Sequence, residues 1–391
     1  MRVLLVAATT GYQTRAFSDV ARTLGIDLLL ATDRCHVLED PWGDNAIALR
    51  FEEPAEGIEA VAARGPFDGI AAVGDRPAYV AALAAERLGL AFSPPPAVLS
   101  AKNKFLAREK FRAVGLLTPA YQLLTQPQAT VRYPCVLKPL GLSGSRGVIR
   151  ADNDAEFAAA FLRIRNIAAE PSVLVEDFIP GHEFALEGMV IKGRLQVLAL
   201  FDKPDPLDGP FFEETIYVTV PPQPAITATA QRAVAALGLT DGPIHAEMRV
   251  NDAGVWMLEI AARPIGGLCS RVLRFSGGQS LEELILHHAV GQDVTEARLA
   301  EGAGAVMMIP IPRAGIYVGV SGLEAARAIP GIEDIAISAK QGQAMIPLPE
   351  GASYLGFIFA RADSPERAVA ALREAHSLLQ FDFAHSLPVV K

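Results

Sequence analysis

The sequence predicts a chain of mixed class, an α/β unit followed by α+β units, and three observations carry that prediction. Short continuous apolar runs alternate with helical patterns over the first ~95 residues, the signature of a parallel sheet covered on both faces. A proline cluster, Ser93-Pro94-Pro95-Pro96, then fixes an extended path and marks a boundary. Beyond it, apolar strands mix with helices, and the turn Asn251-Asp-Ala-Gly254 joins two of the strands as a hairpin. The length of 391 residues exceeds one ordinary domain. A composition of 51% hydrophobic and 20% charged residues builds cores.

In the first unit (1–95), Val3–Ala7, Asp27–Ala31, Ala46–Leu49 and Gly69–Val73 read as strands. Gln13–Leu24, Ala55–Arg64 and Pro77–Leu88 read as helices. The turn Thr9-Thr10-Gly11 lacks GxGxxG, so no dinucleotide fingerprint is present. A second unit (96–300) opens with a helix at Lys102–Val114. Strands at Pro134–Pro139, Val173–Phe178 and Glu183–Ile191 and a helix at Asp154–Ile167 follow, then a helix at Ala225–Leu237, strands at Ile244–Val250 and Val255–Ile260, and a helix at Leu281–Val290. The tail (301–391) carries apolar runs at Ala305–Ile309, Ile316–Val320 and Tyr354–Ala360 and a helix near Glu366–Leu379, a small α+β appendage.

Composition removes several function classes. Mean hydropathy is +0.27, yet no apolar run approaches the ~18–20 residues of a spanning helix. Val3–Ala8 is shorter than a signal-peptide core and reads as a strand. The expectation is a soluble, cytoplasmic protein with no membrane partner. A net charge of −9 argues against coating nucleic acid, while leaving room for a local basic pocket around a small anion. Cys35, Cys135 and Cys269 are odd in number and in no CxxC spacing, so neither a disulfide framework nor a zinc site is indicated; Cys135 and Cys269 read as buried thiols. Trp42 and Trp256 read as packing residues.

Four segments carry candidate chemistry. His245-Ala-Glu247-Met-Arg249 and Val255-Trp-Met-Leu-Glu259 flank Asn251-Asp-Ala-Gly254, a favoured hairpin turn. Strand alternation puts His245, Glu247 and Arg249 on one face, and Val255, Met257 and Glu259 together on one face of the partner. Two carboxylates converging in apolar surroundings call for a proton or cation, and Mg²⁺ takes one or two carboxylates with substrate phosphates; the alternative is two unrelated solvent-facing acids. Lys138 ends an apolar strand, costly unless it meets an anion. The loop Gly141-Leu-Ser143-Gly-Ser145-Arg-Gly147 follows and lets backbone N–H groups and hydroxyls approach phosphate, though a plain flexible turn would read the same way. Val173-Leu-Val-Glu176-Asp-Phe178-Ile179-Pro-Gly-His-Glu183 offers edge backbone groups and a carboxylate to a nucleotide, or is a hairpin entry. Arg263-Pro-Ile-Gly266-Gly267, just beyond Glu259, suits stabilising charge on a transferring phosphoryl group, or is a surface arginine before a turn.

Taken in chain order, with Asn103-Lys104 near the start of the second unit, these segments resemble the ATP-grasp superfamily over about residues 1–295. The resemblance implies an ATP-grasp fold: an N-terminal parallel-sheet domain, a central two-lobed ATP clamp with its lid at about 118–180, and a small C-terminal appendage. It further implies that Lys104 and Lys138 contact ATP phosphates, that Ser143 and Ser145 close over them, that Glu176, Phe178 and Ile179 hold adenine and that Glu183 holds the ribose. Glu247 and Glu259 would bridge Mg²⁺, with Mn²⁺ as a substitute, and Arg263 would steady the reacting phosphoryl and carboxylate. The family often carries asparagine two residues after the second glutamate; here Ala261 stands there, which puts two-metal geometry in doubt. The run from Glu259 to Arg271 looks most like bacterial L-amino-acid ligases, the dipeptide synthases. That implies an ATP-dependent carboxylate–amine ligase acting on small molecules, with Arg271 and His245 as contacts for substrate carboxylate beside Gly266 and Gly267, and a homodimer. Other readings are a ligase joining an amino acid to a different carboxylate in natural-product assembly, a biotin-carboxylase-like enzyme, and a non-catalytic ATP-binding module. The lining around ATP is expected to be basic although the chain is acidic.

Overall fold

The computed structural model describes residues 1–8, 13–33, 45–127, 131–206, 208–213 and 215–384. The turn Thr9-Thr10-Gly11, Cys35 and Trp42 lie outside the described residues.

β1 (Arg2–Ala7), α1 (Thr14–Leu24), β2 (Asp27–Thr32), β3 (Ala46–Ala48), α2 (Pro54–Ala63), β4 (Gly69–Val73) and α3 (Asp75–Leu88) alternate as the sequence predicts. Their strands form a parallel sheet in the order β3-β2-β1-β4. Apolar residues fill both its faces, because helices cover each side.

The proline cluster differs from expectation. Pro94 is extended, but Pro95 and Pro96 form the first turn of α4 (Pro95–Lys102), where proline's missing N–H would have had no intrahelical partner. The single helix expected at Lys102–Val114 is broken at Asn103, which is extended and caps a separate helix, α5 (Lys104–Ala113). Its side-chain oxygen accepts from Phe105 N at 3.0 Å and Leu106 N at 3.1 Å.

β5 (Tyr121–Leu124), β6 (Cys135–Pro139), β7 (Ile149–Ala151), α6 (Asp154–Ile167) and β8 (Val173–Asp177) make a small lid, an antiparallel sheet in the order β5-β8-β6-β7 under α6. Cys135 is buried in it.

The remaining elements are β9 (His182–Ile191), β10 (Arg194–Lys203), β11 (Ile216–Val220), α7 (Pro224–Leu237), β12 (Gly242–Asn251), β13 (Gly254–Ala261), α8 (Leu281–Ala289), β14 (Ala303–Ile309), β15 (Gly315–Ser321), α9 (Leu323–Arg327), β16 (Ile332–Ile337), β17 (Ala344–Met345), β18 (Gly356–Ala362), α10 (Pro365–Ser377) and β19 (Gln380–Ala384). Eight of these strands form one antiparallel sheet, β13-β12-β9-β10-β11-β14-β18-β16. The small C-terminal α+β region is joined to the central sheet, because β14 pairs with β11 and extends it. Only β17-β15-β19 forms a small sheet of its own.

Two cores weld the N-terminal sheet to this central sheet. One joins Leu4 and Val6 of β1 to Leu186, Ala246 and Met248. The other joins Val3, Leu5 and Phe17 to Ala185, Phe201 and Phe357. β4 runs so close to α8 that a Cβ on Gly69 would stand 2.2 Å from the Ala289 carbonyl oxygen, so only glycine fits there. Among the described residues, no helix is long and apolar enough to cross a membrane.

Candidate active site

A cavity of about 410 Å³ opens where the lid, the central sheet, the start of α3 and residues 347–354 meet. It gathers Lys104, Lys138, Ser143, Ser145, Glu176, Phe178, Ile179, Glu183, His245, Glu247, Glu259, Arg263, Gly266 and Gly267 into one lining. Arg271 is placed elsewhere: half-exposed, its guanidinium pairs with Asp334 at 2.9 Å and lies 4.3 Å over the Phe359 ring, and it is not part of the lining. A short 3₁₀ turn at Cys269–Val272 follows the Gly266-Gly267 segment and carries Cys269, but not Arg271, onto the cavity wall.

Each strand-end lysine is held by a carboxylate. Lys138 near the end of β6 pairs with Glu176 of β8 at 2.7 Å, and the other Glu176 oxygen faces the Arg108 guanidinium of α5 as an ion pair. Arg108 is fully buried. Burial opposes the Glu176 charge, but Arg108 and Lys138 outweigh it and bring its pKa down to about 2. Set between these two cations, Glu176 anchors Lys138. Lys104, presented by the capped start of α5, donates to the Leu142 carbonyl at 2.7 Å and pairs with Glu259 at 3.1 Å. It thereby ties the glycine-rich loop to the central sheet. In that loop Gly144 (φ 63°) and Ser145 (φ 57°) are both left-handed; for serine this is a strained conformation of the kind concentrated at functional sites.

The hairpin β12–β13 sets Glu247 directly opposite Glu259. Simple alternation fails just beyond them. Met248 pairs with Met257, leaving Leu258 as an extra, bulged residue. Met257 is consequently turned away from Glu259 and joins Met248 in the core. The bulge also presents the Leu258 carbonyl to Arg108.

Lys203, the last residue of β10, donates to Glu247 at 2.8 Å and to Glu183 at 2.9 Å. Arg249 takes the other Glu183 oxygen at 2.8 Å. His245 lies between Glu187 at 2.5 Å and Glu247 at 3.4 Å. Burial disfavours its charge, but Glu187 and then Glu247 push its pKa up to about 9. Burial likewise opposes the Glu247 carboxylate, which Lys203 and His245 hold well below the usual range.

Arg263, immediately past β13, is buried and forks onto Asp75 at 3.2 and 3.4 Å. Asp75 opens α3 behind Gly74. Burial works against the Asp75 charge, and Arg263, Lys104 and the Ser143 hydroxyl hold its pKa down. Ile265 donates its N–H to Glu187 at 3.0 Å, and Gln13 donates to the Ile265 carbonyl at 2.6 Å.

Sequence reasoning missed Asp75, Arg108, Glu187 and Lys203. Lys203 carries the same signal as Lys138, a lysine closing the apolar run Val197–Phe201. Glu187 is an acid inside an apolar strand. Arg108 and Asp75 have no local signal beyond a helical position.

The expected basic lining is not what the structure has. Carboxylates outnumber lysines and arginines around the cavity: Asp75, Glu176, Asp177, Glu183, Glu213, Glu247 and Glu259 against Lys104, Lys138, Arg249 and Arg263. Every basic group is held in place by an acid, so charge balance around a polyphosphate requires an accompanying cation. The donor set fits one. Among the described residues, Oε2 of Glu247 and Oε1 of Glu259 have no hydrogen-bond partner. Two carboxylates with phosphate oxygens are what Mg²⁺ takes. Among the described residues no group of three His, Cys, Asp or Glu side chains comes close enough to hold a metal without such a ligand.

Three family models match: an ATP-grasp N-terminal domain over residues 18–92, an ATP-grasp domain over 131–272, and L-amino acid ligase C-terminal domain 2 over 307–384. The fold superposes on the crystal structure of L-amino acid ligase from Bacillus licheniformis with a TM-score of 0.83 and 25% identity, covering 98% of this chain and 99% of that one. Dapdiamide A synthase of Enterobacter agglomerans is 26% identical over 208 residues, 48% of this chain and 49% of its own length. The ATP-grasp enzyme fsqD of Aspergillus fumigatus is 24% identical over 314 residues, 67% of this chain and 55% of its own. The chain thus spans about half the length of these two curated relatives. The chain therefore carries an ATP-grasp N-terminal domain, an ATP-grasp domain and a C-terminal domain of the L-amino acid ligase type.

Proposed function

We propose that the protein is an ATP-dependent carboxylate–amine ligase whose substrates are amino acids. The observation that carries this reading is the single cavity in which Lys104, Lys138, the Glu247–Glu259 pair and the Arg263–Asp75 fork converge. The γ-phosphoryl group of ATP passes to a substrate carboxylate oxygen as its bond to the bridging oxygen breaks, releasing ADP. The amine of a second substrate then attacks the acyl carbon, loses a proton and expels phosphate, leaving an amide. Lys104, Lys138 and the backbone of residues 141–147 bind and orient the phosphates, which is most of what phosphoryl transfer requires. Arg263, fixed by Asp75, offers charge to the transferring phosphoryl group and the acyl oxygen. Glu247 and Glu259 are the residues that would hold Mg²⁺ or Mn²⁺; when bound, the metal supplies positive charge to the phosphate oxygens. The likeness to an L-amino acid ligase, and to dapdiamide A synthase, supports the amino-acid assignment.

The test is ADP release from purified protein across amino acids offered singly and in pairs, with mass spectrometry of the products. Pair-dependent ADP and a dipeptide mass support the reading. ADP release that ignores amino acids altogether would overturn it.

A further inference from the structure

The segment between β17 and β18 touches both halves of the site at once. On its inner side Pro347, Leu348, Gly351, Ala352, Ser353 and Tyr354 form part of the cavity wall. On its outer side it is bonded to the lid. Gly147 donates its N–H to the Pro349 carbonyl at 2.9 Å, and Arg146 Nε donates to the Glu350 carbonyl at 3.1 Å. Arg163 of α6 donates through both arms of its guanidinium to the two Glu350 carboxylate oxygens, at 2.5 and 2.9 Å.

These contacts are not incidental surface pairing. The Arg163–Glu350 fork is bidentate, the geometry that gives an arginine–carboxylate pair direction as well as strength. Arg163 is further steadied 5.0 Å over the Phe211 ring. The Arg163 guanidinium holds the Glu350 carboxyl below its ordinary pKa. The turn presenting Glu350 is tight: Gly351 donates to the Pro347 carbonyl at 2.9 Å, and a Cβ on Gly351 would stand 1.8 Å from the Ile346 carbonyl oxygen. The loop carrying Ser143 and Ser145 is therefore gripped at both ends. Lys104 holds Leu140 and Leu142 at one end, and the 347–354 segment holds Arg146 and Gly147 at the other.

We infer that residues 347–354 act as a strap, with Glu350 as the positioning residue that latches the lid over the ATP phosphates. Because the same strap walls the cavity, a substrate seated against it favours the latched lid. The γ-phosphoryl group is then committed to the substrate carboxylate and withheld from water. This inference rests on the ligase reading for its coupling to product, but the latch itself is read by nucleotide affinity alone.

Three proteins are compared: wild type, Glu350→Ala, and the charge swap Glu350→Arg with Arg163→Glu. Affinity for a non-hydrolysable ATP analogue is measured by calorimetry. ADP and amide are counted with the amino-acid pair that gives the greatest ADP release. Glu350→Ala is expected to weaken analogue binding about three- to fivefold, the scale for a partly exposed but well-formed pair, and to release more ADP than amide. The swap is expected to return both values toward wild type. Unchanged analogue affinity in Glu350→Ala, or a swap no better than the single variant, would overturn the latch. A wild type that binds the analogue yet forms no amide with any pair overturns the ligase reading instead, and the affinity series still decides the latch.

Discussion

Glu247 and Glu259 stand directly opposite each other across the β12–β13 hairpin, and each is bound to a lysine from a different element, Lys203 at 2.8 Å and Lys104 at 3.1 Å. Two half-buried carboxylates facing each other on neighbouring strands repel unless cations intervene. The two lysines meet that need with one oxygen of each acid to spare. Glu247→Gln or Glu259→Gln should lower ADP release by about a hundredfold, the scale for losing one charge stabiliser of a transition state. Each should also shift half-maximal activation to higher Mg²⁺. A Mg²⁺ titration with the same midpoint in both variants and wild type would remove these residues from the metal.

The fork between Arg263 and Asp75 joins the strand end of β13 to the first turn of α3. Arg263→Lys loses the planar fork. It should depress kcat by about a hundredfold while leaving affinity for an ATP analogue within about twofold, because charge that matters in the transition state acts on turnover. Asp75 orients that group without reaching the reacting atoms, so Asp75→Asn should cost only about tenfold. Steady-state kinetics beside analogue binding checks both; equal losses in kcat and binding would contradict the assignment.

Glu176 is buried between Arg108 and Lys138. Glu176→Gln leaves the Arg108 charge uncompensated and should lower stability by about 3–5 kcal/mol. The pH dependence has a definite sign. The carboxyl pKa falls from 4.5 to about 2 on folding, so its contribution is complete above pH 4.5 and is lost as pH drops toward 2. Urea unfolding of wild type and variant should therefore differ most at neutral pH and converge by pH 2. A constant difference across that window would rule out this linkage.

Asn103 both ends α4 and caps α5, and Lys104 is the first residue it positions. Asn103→Ala should cost about 1 kcal/mol of stability and weaken ATP-analogue binding. Asn103→Asp, which keeps an acceptor oxygen at the cap, should preserve both. Thermal unfolding with calorimetric binding separates the variants.

Much of this was written locally. The alternation of apolar runs and helices set the parallel sheet. Asn251-Asp252-Ala253-Gly254 set the hairpin. Lys138 before the glycine-rich loop and the Glu247–Glu259 pair marked residues that line the cavity. These features depend on neighbours within a few tens of residues, where side-chain period, turn preference and the cost of burying a lone charge leave a readable trace. The tertiary structure decided the rest. It broke the helix expected at Lys102–Val114 at Asn103, bulged Leu258 so that Met257 faces the core, sent Arg271 to Asp334 and ran the C-terminal strands into the central sheet. It also chose the partners: Asp75 for Arg263 across 188 residues, and Glu350 for Arg163 across 187. A carboxylate advertises that it needs a cation but not which one, and only the packing of distant elements brings a particular pair within hydrogen-bonding distance.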